Sequence, residues 1–176
     1  MISEKGSNAH RSVLTGRKLS KRIGICKKTE SMDMEVLLTH EKGLLFSGTN
    51  PAGARVSIGR PGESPEATSP MEMLLEAVAG CSSIDVLMIL EKQKASVDRY
   101  QVRVEGHRAE GGAAKPFTAI DLAFSVGTDA LPGKVARAVQ LSLEKYCSVA
   151  KTIDPSVAIR YTLEVNGQAV EFPEKE

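Results

Sequence analysis

Residues 69–90 read SPMEMLLEAVAGCSSIDVLMIL and form the most apolar stretch of the chain. Ser69 is a suitable N-cap, Pro70 suits the first helical position, and Glu72 stands where a capping-box carboxylate bonds back to the Ser69 amide. We therefore predict a long central helix that opens at Ser69. Its apolar residues fall on every side, which is typical of a helix enclosed by other elements. Cys81 lies in the middle of this helix, and we predict that it is buried or at the base of a pocket.

A membrane-spanning helix is the alternative for this stretch. Glu76 and Asp85 interrupt the apolar run, which leaves it too short for a bilayer. Charge also gives no general reason to expect nucleic acid or membranes as partners, because 23 Lys and Arg balance 22 Asp and Glu over the whole chain. We predict a protein that binds neither.

The 176 residues are enough for one domain with a sizeable core, but their charges are unevenly spread. Residues 1–31 hold 8 Lys or Arg against 2 Glu, whereas residues 32–176 hold 15 against 20 acidic residues. We predict that residues 1–31 are a disordered basic extension, because they are rich in polar residues and poor in core-forming ones. Residues 32–176 then form the folded domain. A transit peptide is the alternative for the extension, although Glu4 and the preference for Lys over Arg weaken it.

The three cysteines and the lack of a secretory apolar run predict a reducing, cytoplasmic setting rather than a disulfide scaffold. Cys26 lies in the extension, and Cys81 and Cys147 are 66 positions apart. The chain has no CxxC and no paired Cys/His spacing of the kind that binds zinc. His40 and His107 lack such spacing too, which favours surface positions for both. We predict neither a metal nor a cofactor.

The other segments alternate between short strands and one further helix. Alternating apolar residues and turn signals predict strands near residues 34–39, 44–49, 54–58, 100–104, 120–126 and 157–165. A second helix is predicted from about Pro132 to Ala150, with Thr128 or Asp129 as its cap. The order βββ-α-ββ-α-β predicts an α+β domain with antiparallel sheets around two central helices. The first three strands are too few to cover their own apolar face, so we expect them to pair with a second chain.

Three features together resemble the OsmC/Ohr family, the family of osmotically inducible protein C and the organic hydroperoxide resistance proteins. They are the eleven-position spacing from Pro70 to Cys81, the motif GCSSIDV at residues 80–86, and LSLEKYCSV at residues 141–149. The resemblance covers roughly residues 34–165 and is to the OsmC-like branch rather than to the best-studied hydroperoxide reductases. It implies the OsmC-like α+β fold in an intertwined homodimer, with active sites at the dimer interface.

The resemblance also implies a cysteine peroxidase. Cys81 would attack an organic hydroperoxide, and Cys147 would resolve the product as an intrachain disulfide. A dithiol reductant such as a lipoylated protein would then restore both thiols. The chemistry fits these residue types, because a thiolate is needed to attack the O–O bond and a second thiol traps the sulfenic acid before further oxidation.

Cys81 needs a cation close by, because only its thiolate is reactive and it lies too far into the helix to benefit from the helix dipole. The resemblance implies an arginine held by a glutamate directly after the helix-opening proline, but Met71 occupies that position and the carboxylate follows at Glu72. Nine positions rotate through about 900°, so Glu72 and Cys81 fall on opposite sides of a straight helix. Glu72 is therefore either a site residue or the capping residue. Arg60, in the loop before the helix, is the predicted cation, with Arg55 as the alternative.

Asp85 stands one turn after Cys81 in apolar company, so we expect it to have a partner. That partner would make a structural hydrogen bond, or Asp85 would orient the cation near Cys81. Two functions follow from the whole pattern. The first is a peroxidase that prefers organic, fatty hydroperoxides, because the Met- and Leu-rich helix offers an apolar wall. The second is a non-catalytic small-molecule-binding or redox-sensing protein with the same fold.

Overall fold

The structure, a computed structural model, describes residues 33–173. The predicted basic extension and Cys26 lie outside the described residues. Within this part of the chain, two sheets and three helices follow one another, and their bounds are β1 Leu37–Lys42, β2 Leu45–Thr49, β3 Arg55–Ile58, α1 Pro70–Lys92, β4 Val97–Arg108, β5 Phe117–Thr128, α2 Pro132–Leu141, α3 Ser148–Thr152, β6 Ala158–Val165 and β7 Gln168–Val170. A five-residue π turn, Ser142–Tyr146, separates α2 from α3. The predicted α+β class is confirmed.

The first three strands form their own antiparallel sheet in the order β1-β2-β3. β1 begins at Leu37 rather than Met34, three residues later than predicted. All six of its residues are exposed, and Leu37 and Leu38 are apolar. This sheet therefore leaves apolar surface uncovered within one chain.

The second sheet has four strands in the order β4-β5-β6-β7. β4 and β5 are antiparallel, as predicted, but β5 and β6 are parallel, so the prediction of purely antiparallel sheets was wrong. The reason is the helical connection between them, which carries the chain back to the end where β5 began. β7 was not predicted. It follows a turn at Asn166 and Gly167, both with positive φ, and Asn-Gly is the strongest short hairpin signal in a sequence.

Helix α1 begins as the sequence predicts. The Ser69 hydroxyl accepts from the Glu72 amide at 3.3 Å, and Glu72 Oε2 accepts from the Ser69 amide at 2.8 Å, which completes the capping box. Only one stripe of the helix is buried, at residues Val78, Ser82, Val86 and Leu90. Other apolar side chains face outward, with Ile84 62% and Met88 49% exposed. Within one chain, the prediction of enclosure on all sides was therefore wrong.

The sequence argument against a membrane span also needs correction. The 23 residues of α1 are long and apolar enough, by length and composition, to cross a bilayer. This criterion is weak evidence for a membrane, since core helices of soluble proteins meet it too. The buried stripe of α1 packs into the same core as β5, which is the behaviour of a core helix.

The second predicted helix begins at Pro132 but is interrupted before Ala150. Its N-cap is Leu131, which makes no side-chain cap bond, so capping by Thr128 or Asp129 was wrong. Asp129 instead accepts from the Ser96 amide at 2.7 Å and ties the end of β5 to the start of β4. The helix ends at Leu141, and the π turn then leads to the extended backbone of Cys147.

The core lies between the four-stranded sheet and helices α1 and α2. β5 supplies four inward side chains that are almost fully buried, Ile120, Leu122, Phe124 and Val126. Gly106 of β4 allows the Phe117 ring to lie against the backbone, because a Cβ at that position would stand 2.2 Å from a ring carbon. This core holds α1 in place and so fixes the position of Cys81.

Candidate functional site

The structure brings Cys81 and Cys147 together. Cys81 is half-buried on α1, and Cys147 is fully buried at the junction between the π turn and α3. Both thiols are free, and they are close enough for Cys81 to influence the ionisation of Cys147. Of the predicted site residues, these two form one cluster within a single chain.

Cys147 is held in its protonated form. Burial, the largest cause, and the neighbouring Cys81 side chain together raise its pKa from 9.0 to about 11, against the opposing effect of the Ala150 amide. That amide donates to Cys147 Sγ at 3.4 Å. At neutral pH the buried sulfur is therefore a thiol, which has a proton to donate and is a poor nucleophile.

The π turn sets the position of the Cys147 backbone. The Cys147 amide donates to the Ser142 carbonyl at 2.8 Å, a bond that spans five residues instead of the four of an α-helix. The turn ends because Cys147 is extended, with φ −63° and ψ 101°. A π turn inside a helix is a common mark of a functional site.

Asp85 has a partner, as predicted, and the partner is Ser142. The Ser142 hydroxyl lies 3.1 Å from Asp85 Oδ2 and also 3.1 Å from the Ser82 carbonyl. Ser142 is fully buried, whereas Asp85 is half-buried. This contact joins the helix that carries Cys81 to the turn that carries Cys147.

Glu72 lies away from the thiols of its own chain. It is nine residues before Cys81, about 13 Å along the helix axis. Its carboxylate accepts from both the amide and the hydroxyl of Ser69, and these bonds lower its pKa. The structure thus accounts for Glu72 as a capping residue, and its catalytic role stays a prediction.

The two candidate cations lie at different places, Arg60 near the start of α1 and Arg55 on strand β3 of the N-terminal sheet. Arg60 borders a cleft of about 350 Å³ that includes Pro70 and Met71. Arg55 donates to Glu41 Oε1 at 3.1 Å and to the Ser47 hydroxyl at 3.0 Å, so a carboxylate holds it in place. Within residues 33–173 of one chain, neither arginine makes a hydrogen bond to Cys81. The role of Arg60 stays a prediction.

An open groove of about 620 Å³ runs along the C-terminal half of α1. Its lining residues are Asp85, Met88, Ile89, Lys92, Gln93, Leu141 and Tyr146. It starts one helical turn after Cys81, at Asp85, and its far wall includes Tyr146, the residue directly before Cys147. Apolar side chains line most of it, and Lys92 is its one lysine.

His40 and His107, the histidines among residues 33–173, lie at the surface, as their isolation in the sequence predicts. His40 contacts the Gly43 carbonyl at 3.0 Å, and His107 pairs with Asp121 at 2.7 Å. Asp121 also binds Arg160, and these contacts lower the pKa of the Asp121 carboxyl. Among residues 33–173, no group of three or more Cys, His, Asp or Glu could hold a metal ion.

Sequence reasoning missed Ser142 and the π turn. A serine inside an apolar helix pattern carries no signal that distinguishes a buried hydrogen bond from an ordinary polar position. One clue was available, because Ser142 stands five residues before Cys147. No local pattern, however, indicates a bond that spans five residues there.

Comparison with known proteins identifies the family. The family model described as OsmC-like protein matches residues 62–162. The chain is 42% identical over 134 residues to protein YhfA of Escherichia coli, which covers 75% of this chain and 98% of YhfA. A hypothetical protein of Aquifex aeolicus has a similar structure, with a TM-score of 0.67, 28% identity, and coverage of 82% of this chain and 100% of that one.

A further solved structure with this fold is the organic hydroperoxide resistance protein OhrB of Bacillus subtilis. Its TM-score is 0.53 at 18% identity, and the match covers 75% of this chain and 98% of OhrB. At that identity the likeness is one of fold. The family model and the identity to YhfA carry the assignment, and this chain belongs to the OsmC-like proteins of the OsmC/Ohr family.

Proposed function

We propose that the protein is a thiol-dependent peroxidase that reduces organic hydroperoxides. The OsmC/Ohr family includes peroxidases, and its members are soluble. One observation carries the proposal. A half-buried thiol on α1 meets a fully buried thiol from a separate element, and a two-cysteine peroxidase needs such a pair, one thiol to attack and one to resolve.

The reaction has two steps on the protein. The Cys81 thiolate attacks the outer oxygen of the hydroperoxide ROOH, the O–O bond breaks, and the alkoxide leaves and takes up a proton as the alcohol ROH. Cys81 becomes a sulfenic acid. Cys147 sulfur then attacks the Cys81 sulfur, the S–O bond breaks, and the hydroxyl leaves as water with the Cys147 proton. A dithiol returns two electrons and two protons to the disulfide.

The groove along α1, which begins one helical turn after Cys81, favours organic hydroperoxides over hydrogen peroxide. Met88, Ile89 and Leu141 offer apolar contacts that hydrogen peroxide is too small and polar to use. The groove is open along α1, so a chain-like substituent fits its length. This accords with the preference expected from the Met- and Leu-rich helix.

A homodimer is part of the proposal. Ile84 and Leu87 of α1 lie outside the groove and are exposed in one chain, and so are Leu37, Leu38 and Val56 of the N-terminal sheet. Exposed apolar residues on two elements are typical of an obligate interface. The same dimer would let an arginine of one chain approach the thiols of the other, so Arg60 and Arg55 are both candidates to stabilise the Cys81 thiolate. We place the protein in the cytoplasm, where its thiols stay reduced.

A second function is favoured by one specific observation. Within residues 33–173 of a single chain, no cation makes a hydrogen bond to Cys81, and Glu72 is used as a cap. A protein without an activated thiolate would instead bind small apolar molecules in the groove or respond slowly to oxidants. The two functions differ in the speed with which Cys81 is oxidised.

The test uses the full chain and its two cysteine variants. Reduced protein is mixed with one equivalent of cumene hydroperoxide and quenched between milliseconds and minutes, and the products are mapped by mass spectrometry. The wild type should form the Cys81–Cys147 disulfide within seconds. Cys147→Ser should stop at the sulfenic acid, and Cys81→Ser should consume no hydroperoxide above background.

Two further variants locate the cation. Arg60→Ala should slow the first step, and Arg55→Ala measured beside it shows whether the alternative arginine acts instead. If Cys81→Ser consumes hydroperoxide as fast as the wild type, the peroxidase proposal is wrong. An unchanged dithiol after minutes would favour the binding function.

A further inference from the structure

The hydrogen bonds of Ser142 connect the two segments that carry the thiols, helix α1 and the π turn. Its hydroxyl lies 3.1 Å from the carbonyl of Ser82, the residue after Cys81, and 3.1 Å from Asp85, one turn further along α1. Its own carbonyl accepts from the Cys147 amide at 2.8 Å. One fully buried residue therefore bonds to the Cys81 helix through its side chain and to Cys147 through its backbone.

Asp85 is the stronger of the two acceptors. A serine hydroxyl has one proton, so it donates to one oxygen at a time. An ionised carboxylate accepts a stronger hydrogen bond than a neutral carbonyl does. The Ser142–Asp85 bond is thus the main side-chain link between α1 and the π turn.

The π turn depends on such a link because an α-helical turn competes with it. In an α-helix, the Cys147 amide would bond to Leu143 instead of Ser142. That change of one position would turn Cys147 by about 100° around the helix axis and move its thiol away from Cys81. Holding Ser142 against α1 favours the turn that directs Cys147 to Cys81.

We propose that Ser142, together with Asp85, is a positioning residue for disulfide formation between Cys81 and Cys147. This inference rests on the proposed function for its biological meaning, but the position of the two thiols can be measured without a hydroperoxide. Ser142 does not touch the reacting sulfur atoms in this assignment. It acts by keeping the Cys147 backbone where the two sulfurs can close to the disulfide distance of about 2 Å.

The experiment measures how readily the two thiols pair. The full chain carries Cys26→Ser, so that Cys81 and Cys147 are the only thiols that can be oxidised. It is equilibrated with mixtures of reduced and oxidised glutathione, in which the protein dithiol is oxidised to a disulfide and one glutathione disulfide is reduced to two thiols. Acid quenching and mass spectrometry give the effective concentration of the thiol pair.

Ser142→Ala should lower this effective concentration by about tenfold or more, the size expected for loss of a hydrogen bond to a charged group. Asp85→Ala should lower it similarly, and Asp85→Asn, which keeps an oxygen acceptor, should lower it less. The effects of Ser142→Ala and Asp85→Ala should not add in the double variant, because both remove the same bond. Ser83→Ala is the matched control, since Ser83 also lies on α1 near Cys81 but neighbours the Tyr100 hydroxyl instead; it should change the value by less than about twofold.

Two further measurements, the oxidation rate of Cys81 and the yield of its sulfinic acid, separate an effect on the position of Cys147 from a general loosening of the fold. In a Cys147→Ser background, Ser142→Ala should leave the rate at which hydroperoxide oxidises Cys81 within about threefold. In the presence of Cys147, the same variant should accumulate sulfinic acid at Cys81, because the sulfenic acid waits longer for its partner. Should Ser142→Ala fail to fold, Asp85→Ala provides the same comparison at a half-buried site.

The proposal is overturned if Ser142→Ala and Asp85→Ala keep the effective concentration within about twofold of the wild type, or if their effects add. It is also overturned if the wild type forms no disulfide with glutathione. A protein that ignores hydroperoxides but shows the expected loss in Ser142→Ala would refute the peroxidase function and leave the positioning role standing. Fast peroxidase turnover with no effect of Ser142→Ala would refute the positioning role alone.

Discussion

The rate of disulfide formation should rise steeply with pH, because the buried Cys147 must lose its proton before it attacks. Burial raises the pKa of Cys147 to about 11. At pH 7 the thiolate fraction is then about 10⁻⁴, against about 10⁻² for a thiol of ordinary pKa. The rate constant should increase about tenfold per pH unit, a gain of about a hundredfold from pH 7 to pH 9, and level off only near pH 11.

The assay is a single turnover followed by rapid quenching. Reduced protein is mixed with one equivalent of cumene hydroperoxide at each pH, and the sulfenic acid and the disulfide are counted by mass. The Cys147→Ser variant is the control, since its sulfenic acid should decay without this pH profile. A rate of disulfide formation that levels off below pH 9 would contradict the raised pKa of Cys147.

The raised pKa of Cys147 also makes the stability of the fold depend on pH. Because the folded protein binds the Cys147 proton more tightly than the unfolded chain does, the free energy of unfolding should fall as pH rises from about 9 to about 11. Cys147→Ser should lack this part of the decline. Urea unfolding of both proteins across that interval would detect the difference.

Three substitutions test the start of α1 and its exposed face, and a fourth serves as the control. Ser69→Ala should lower the free energy of unfolding by about 1 kcal/mol in urea melts, and Glu72→Ala should lower it too, because each removes one side of the capping box. Both variants should keep the kcat/KM of the wild type. A large loss of kcat/KM in Glu72→Ala alone would reveal a catalytic carboxylate. Ile84→Ser should weaken the proposed dimer by about 2–4 kcal/mol, because the 62% of this side chain that is exposed in one chain would be buried in each of the two copies. Kd should rise about 30- to 700-fold in sedimentation experiments. Leu131→Ser, equally exposed but off α1, should leave Kd unchanged.

Local signals in the sequence were enough to predict the start of α1. Ser69, Pro70 and Glu72 specify a capping box through contacts within three residues, and the structure has that box. The same holds for the paired strands β4 and β5, whose alternating residues face the core. Such features depend on neighbours along the chain, and a single sequence contains them.

Features that depend on distant contacts were predicted less well. The parallel pairing of β6 with β5 follows from the path of a crossover, and the exposed faces of α1 have no neighbouring element among residues 33–173 of one chain. The break at Cys147 is of the same kind. Residues 132–150 have a continuous helical pattern, but Ser142 makes a hydrogen bond to Asp85 on another helix. The backbone bonds of the turn then span five residues instead of four. No local property of the segment encodes that bond.

The unequal burial of the two thiols supports a fixed order of events in the proposed reaction. Cys81 is half-buried, so a hydroperoxide reaches it first, whereas the fully buried and protonated Cys147 is protected from direct oxidation. The cost is a resolving thiol that is about a hundredfold less ionised than an ordinary one at neutral pH. Proximity can offset this cost, since well-oriented groups in one molecule react as if at concentrations of about 10⁵ M or more. The advantage exists only while Cys147 faces Cys81, and for that reason the contact between Ser142 and Asp85 matters to the chemistry as well as to the fold.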